Sequence, residues 1–250
     1  MRSFFKRIFV LTKRNILEMI REPLSLVFTI GLPLVMEVGF YYIFHGITDQ
    51  FEMKYLAPAI VVFAQSFLTL FTGLIISLDR GSAFLTRLYV SRARSYEFII
   101  GYALAMIPVS FFQSVLFFAV GGIIDGSIFG LGMVYSVLLS VPTSLLFIGL
   151  GILLGSVCSE KSIGGVASIV ITGQSVLSGM WFPTSGMGKG ITAVMKALPF
   201  KNATDLMQNV LVGAGDAFGD VALPLLIVAG YTVLSFVSAA VVFGNKMRAK

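Results

Sequence analysis

The feature that most constrains this chain is the recurrence of apolar stretches of about 20 residues, the length that crosses a bilayer as a helix. Six such stretches fall near residues 24–44, 55–78, 98–124, 131–157, 164–181 and 221–244. None alternates at period two, as the strands of an outer-membrane barrel must. The sequence therefore predicts an all-α integral membrane protein with six transmembrane helices. Composition agrees: of 250 residues, 57% are hydrophobic and 12% are charged. That is far more apolar surface than a soluble domain of this size can bury.

Charge placement orients the bundle. Arg2, Lys6, Arg7, Lys13, Arg14 and Arg21 precede the first span, Arg80, Arg87, Arg92 and Arg94 lie in the second loop, Lys161 in the fourth, and Lys246, Arg248 and Lys250 after the last. The alternate loops hold only Lys54, Lys189, Lys196 and Lys201. This bias predicts that both termini are cytoplasmic, and the expected location is the inner (cytoplasmic) membrane of a prokaryotic cell. The net charge of +6 is thereby accounted for without a nucleic-acid partner. A cleaved signal peptide fits the first span poorly, since the basic arm is long and no small-residue cleavage site precedes Tyr41, Tyr42 and Phe44.

Whole classes of chemistry are excluded. One cysteine, Cys158, and one histidine, His45, supply neither a disulfide nor a metal cluster. A Walker loop is missing too: the nearest approach, Gly188-Lys189, has Pro183 where the first glycine belongs and Gly190 where Ser or Thr belongs. The chain is expected to bind no cofactor and to have no catalytic residue, so that any energy-coupling domain must be another chain.

Four segments carry the candidate mechanism. Residues 1–23 read as an amphipathic surface helix, with Phe5, Ile8, Phe9, Ile16, Met19 and Ile20 on one face and Lys6, Lys13, Arg7, Arg14 and Arg21 opposite, facing anionic lipid headgroups. Pro23 ends this helix and starts the transmembrane domain, 24–250. The second loop, 79–97, mixes basic and apolar side chains, and Phe84, Arg87 and Leu88 share a helical face of the kind that docks in a partner's groove. The external loop, 182–220, follows Ser178, Gly179, Trp181, Phe182 and Pro183 and holds two short apolar-periodic helices around Ile191–Leu198 and Leu206–Leu211.

Within the spans, Glu37 is the leading candidate. A carboxylate there must face protein or water or be protonated. It is expected either to contact substrate or a second subunit, or to hydrogen-bond a neighbouring helix, with Gln65, Gln113 and Gln174 as candidate partners. Gly151 and Gly155 allow close helix approach, with Gly149, Gly164, Gly165 and Gly173 extending the small-residue surface. Pro33, Pro108, Pro142 and Pro224 are expected to kink four spans.

The whole chain resembles the membrane subunit of a type-2 ATP-binding-cassette exporter. The likeness rests on Arg21-Glu22-Pro23-Leu24 with Leu32-Pro33-Leu34; on Arg80-Gly81, Arg87-Leu88-Tyr89-Val90-Ser91 and Glu97-Phe98-Ile99-Ile100-Gly101; and on Ser178-Gly179-Met180-Trp181-Phe182-Pro183 with Leu198-Pro199-Phe200. Arg92 stands where that family often has proline after the second-loop Val-Ser. The resemblance implies that loop 79–97 holds a coupling helix seated in a cytoplasmic ATPase, with Arg80, Gly81, Phe84, Arg87 and Leu88 making the contact. It implies that the arm touches the ATPase, through Arg7, Arg14, Glu18 and Arg21, and that two membrane subunits pair, as a homodimer or a heterodimer. The expected function is export of a lipophilic or amphiphilic compound, with polysaccharide or lipid-linked glycan as the alternative cargo. A proton-coupled secondary carrier using Glu37 is the rival from another class.

Overall fold

The computed structural model describes residues 2–81, 95–182, 187–213 and 216–248. It is all helical, with no strand among the described residues. Helix α1 is Arg2–Arg21, α2 is Pro23–Phe44, α3 is Met53–Gly81, α4 is Ser95–Ile124 and α5 is Leu131–Val157. Then follow α6, Glu160–Leu177, α7, Lys189–Ala197, α8, Pro199–Val212, and α9, Leu223–Arg248, which is preceded by a π-helical turn Ala217–Ala222.

Among the described residues, five helices are long and apolar enough to cross a membrane: Pro23–Phe44, Met53–Gly81, Tyr96–Ile124, Leu131–Val157 and Ala217–Gly244. The remaining expected span, 164–181, is displaced toward the N-terminus as α6, which has 18 residues. Glu160 and Lys161 occupy its first turn and Gln174 its last, so its hydropathy falls below that of the other five. The reason for the displacement is local. Ser159 and Ser162 cap each other's backbone in a capping box that starts the helix early, and Gly179 at φ 78° ends the segment in a left-handed turn.

Helix α3 is the centre of the bundle. Most of its apolar length is buried, whereas α2 and α9 bury only a minor part of theirs. Helix α5 lies against it almost backbone to backbone. A Cβ added at Gly151 would stand 2.8 Å from the Thr69 carbonyl oxygen, and one at Gly155 would stand 2.7 Å from that of Gly73. Gly73 in turn receives Ile163 of α6. The expected close packing at Gly151 and Gly155 is present, and Thr69 adds a hydrogen bond to the Phe147 carbonyl at 3.0 Å. Gly164 and Gly165 meet nothing within 4 Å and lie on an exposed face of α6.

Two of the expected proline distortions are realised as π turns. Val27–Gly31 precedes Pro33, and Ala217–Ala222 precedes Pro224. A proline cannot donate to the carbonyl four residues back and its ring crowds that group, so the helix widens there. The carbonyl that Pro224 leaves without its helical donor belongs to Asp220, and Asn209 of α8 donates to it at 3.0 Å. Gln208 donates to the Tyr55 carbonyl, in the first turn of α3. Helix α8 is thus seated in the end of the bundle by polar bonds as well as by Ala203, Leu206 and Met207, all fully buried. The sequon Asn202-Ala203-Thr204 is closed to modification: Asn202 donates to the Lys196 and Leu198 carbonyls, and Thr204 is buried.

Candidate functional site at the two ends of the second loop

Helix α1 packs on α4 through Ile8, Leu11, Asn15 and Met19, which follow one another at spacings of three and four and are all buried. Leu11 rests on Gly101, where an added Cβ would come within 3.0 Å of it. Ile8 and Met19 belong to the face that hydropathy marks, while Phe5, Phe9 and Ile20 of that face remain exposed. This packing brings Arg7 and Arg14, seven residues and therefore two turns apart, over the two ends of loop 79–97.

At the α4 end, Arg7 holds Glu97 with two parallel bonds, Nε to Oε2 at 2.7 Å and Nη2 to Oε1 at 2.8 Å. At the α3 end, Arg14 holds Asp79 the same way, Nη1 to Oδ2 at 2.7 Å and Nη2 to Oδ1. Tyr102 donates its hydroxyl to Asp79 at 2.6 Å, and Glu18 takes a further contact from Arg14 at 2.9 Å. Asp79 and Glu97 are each only 3% exposed at the side chain. Such bidentate pairs fix geometry as well as charge, so α1 is locked to both helices that flank the loop.

The charges respond as this geometry requires. Burial draws the Arg14 guanidinium down, but its bonds and charge contacts with Asp79 and Glu18 more than reverse this and leave it raised above its ordinary value. The bond to Glu97 raises Arg7 as well. Burial is the largest effect on Glu18 and pushes its carboxyl above the ordinary carboxylate range despite Arg14. Beside the pairs, an open groove of about 690 Å³ is lined by Lys13, Arg14, Leu17, Glu18, Arg21 and Pro23, among others.

Arg80 points inward. Its Nη1 donates to the carbonyls of Gly155 at 2.7 Å and Cys158 at 3.1 Å, capping the C-terminus of α5 with positive charge. Gly81 ends α3 and is exposed. Phe84, Arg87 and Leu88 lie outside the described residues, as does Pro183.

The polar residues within the spans are fully buried but are not brought together as expected. Gln65 donates to the Ser140 carbonyl at 2.9 Å and to the Ser110 hydroxyl at 3.4 Å. Neither Gln113 nor Gln174 has a hydrogen-bond partner for its amide among the described residues, and neither oxygen of Glu37 has one. The glutamines therefore do not serve as partners of Glu37. At the other end of the bundle, the Trp181 indole donates to Ser175 at 2.6 Å and its ring meets Phe40 edge-on at 4.9 Å. Ser178 is buried, Gly179 accepts from Gln50 at 2.9 Å, and Phe182 is exposed. His45 is half exposed and pairs with Glu52 at 3.3 Å.

Sequence reasoning placed Arg7 and Arg14 on a headgroup-facing side and missed Asp79, Glu97 and Tyr102 as their partners. A signal was present: Asp79 and Glu97 are the acidic residues bounding a loop that is otherwise basic.

The described residues thus form a bundle of apolar helices with a polar clamp at one end and buried polar side chains in its interior. The family model for the ABC-2 type transporter matches residues 6–212, from α1 through α8, and the chain belongs to that family. Members supply the membrane part of an ATP-driven transporter, a permease that is not itself catalytic and that works with an ATP-binding subunit. No curated protein matches the sequence.

Proposed function

We propose that this chain is the permease of an exporter, paired with a second membrane subunit and driven by a separate cytoplasmic ATPase that binds ATP and Mg. Loop 79–97 and both termini face the cytoplasm, and α6 also crosses, as the fifth of six spans. At 1.5 Å per residue its 18 residues reach about 27 Å, close to the hydrocarbon thickness of roughly 30 Å.

The observation that carries this reading is the double ion pair between α1 and the ends of loop 79–97. A loop that transmits force must be anchored to the elements it moves. Asp79 lies in the last turn of the central helix α3 and Glu97 in the first turn of α4, so a push on the loop is delivered to both, with α1 moving as a third member. The groove along Lys13, Leu17 and Arg21 leaves a mixed basic and apolar surface of α1 for the ATPase. Exposed Phe5, Phe9 and Ile20 on its other side suit the acyl boundary of the membrane.

A chain of ring contacts runs along α2 and α3, from Phe28 to Phe67, Phe63, Trp181 and Phe40. It supports a lipophilic or amphiphilic cargo over a glycan. The test is capture of the ATPase by the solubilised chain: Phe84→Ala with Arg87→Ala should reduce it severalfold without changing membrane insertion. Undiminished capture would overturn the loop's assignment.

A further inference from the structure

Glu37 is 0% exposed, and neither of its oxygens finds a donor. Its surroundings explain why. Oε1 converges on Gly121 of α4 together with the Met53 sulfur and the Ile128 side chain, all lying within 3.1–3.2 Å of where a Gly121 Cβ would stand. None of these side chains can donate to a carboxylate. One turn further along α2, Phe40 and Tyr41 follow on the same side of the helix. Phe40 is the hub of an aromatic cluster, with Trp181 at 4.9 Å and Phe51 at 6.0 Å, edge-on in both cases.

A carboxylate without a protein donor, one helical turn from a cluster of aromatic rings, has the chemistry that recognises an organic cation: charge from the acid and ring quadrupole from the aromatics. We propose that Glu37, with Phe40 and Trp181, forms a binding site for the cationic group of a lipophilic substrate, held closed in this conformation. The helix carrying Glu37 is the one placed to open it. Helix α2 buries little of its length, it starts with the π turn Val27–Gly31, and Gly46 at φ 78° follows its other end. A tilt of α2 between these two points parts Glu37 from Gly121 and admits a ligand between α2 and α4. The zero exposure within a single copy places the site inside the bundle, away from any surface that a second subunit covers.

This rests on the permease reading, and the experiment separates the two. The intact complex with its ATPase is purified, and binding of radiolabelled tetraphenylphosphonium is measured by equilibrium dialysis alongside ATP hydrolysis. The wild-type complex should bind the cation saturably. Glu37→Gln should weaken binding at least tenfold, and Glu37→Asp should weaken it less, with hydrolysis retained in both. Binding unchanged in Glu37→Gln, or no saturable binding by a wild-type complex that hydrolyses ATP, overturns the site and leaves the permease reading standing. Failure of any ATPase to accompany the chain counts against the permease reading itself. A measurement on the wild-type protein alone guards against a misfolded variant: tetraphenylphosphonium should protect Glu37 from modification by dicyclohexylcarbodiimide, read by peptide mass. Labelling undiminished by saturating cation contradicts the proposal.

Discussion

Arg14 of α1 and Asp79 at the end of α3 are 65 positions apart in sequence and joined by two parallel hydrogen bonds. Asp79 is buried and its Oδ2 also receives the Tyr102 hydroxyl. One arginine thereby ties the N-terminal helix to the central helix of the bundle and, through Tyr102, to α4.

Removing one partner of a buried pair leaves the other's charge uncompensated, which costs about 3–5 kcal/mol. Arg14→Ala, which strands the buried Asp79 carboxylate, should destabilise the solubilised protein by this order, seen as a lowered thermal midpoint. Tyr102→Phe, which removes a single bond to a charged group, should cost about 1.5–3 kcal/mol. Equal midpoints for the Arg14 variant and the wild type would show that the pair contributes nothing.

The second pair is tested by exchange. Arg7→Glu or Glu97→Arg alone should reduce ATPase capture severalfold, and the two together should restore most of it. Failure of the double variant to recover would mean that these residues act singly and not as a clamp.

Glu18 gives the pH dependence its sign. Its folded carboxyl is raised above the ordinary value of 4.5, chiefly by burial. A raised carboxyl favours the folded state below that ordinary value and loses this contribution as pH rises through the folded one. Glu18→Gln should therefore stabilise the protein at neutral pH relative to the wild type, and the gain should vanish as pH falls below 4.5. A gain that grows on acidification would reverse the assignment.

Glycines of like spacing should differ in tolerance. Gly155→Ala drives a methyl into the Gly73 carbonyl and should cost about 1–3 kcal/mol of overpacking. Gly164→Ala meets nothing within 4 Å on its helix face and should stabilise α6 by up to about 1 kcal/mol. Paired thermal midpoints decide it.

What was legible in the sequence follows its physics. Five spans stand out because lipid demands long apolar runs with internally satisfied backbones, and the limits of 131–157 coincide with those of α5. Helix α6 shifted because a capping box and a left-handed glycine set its ends, which hydropathy does not register. The contacts of α1 lay beyond hydropathy for a similar reason. Periodicity marks Ile8 and Met19, but the burial of Asn15 at 1% exposure and the reach of Arg7 and Arg14 to two carboxylates distant in sequence depend on how α1 packs on α4. The isolation of Glu37 was equally hidden, since Gln65 had a partner in the Ser140 carbonyl that no helical periodicity pairs with it.

The most direct test of the account is to solubilise the chain from its native membrane, identify what accompanies it and assay ATP hydrolysis. A stoichiometric ATPase, lost with Phe84→Ala and Arg87→Ala, is the predicted result. A chain that purifies alone and takes up substrate down a proton gradient, with uptake abolished by Glu37→Gln, would contradict the account and make it a secondary carrier.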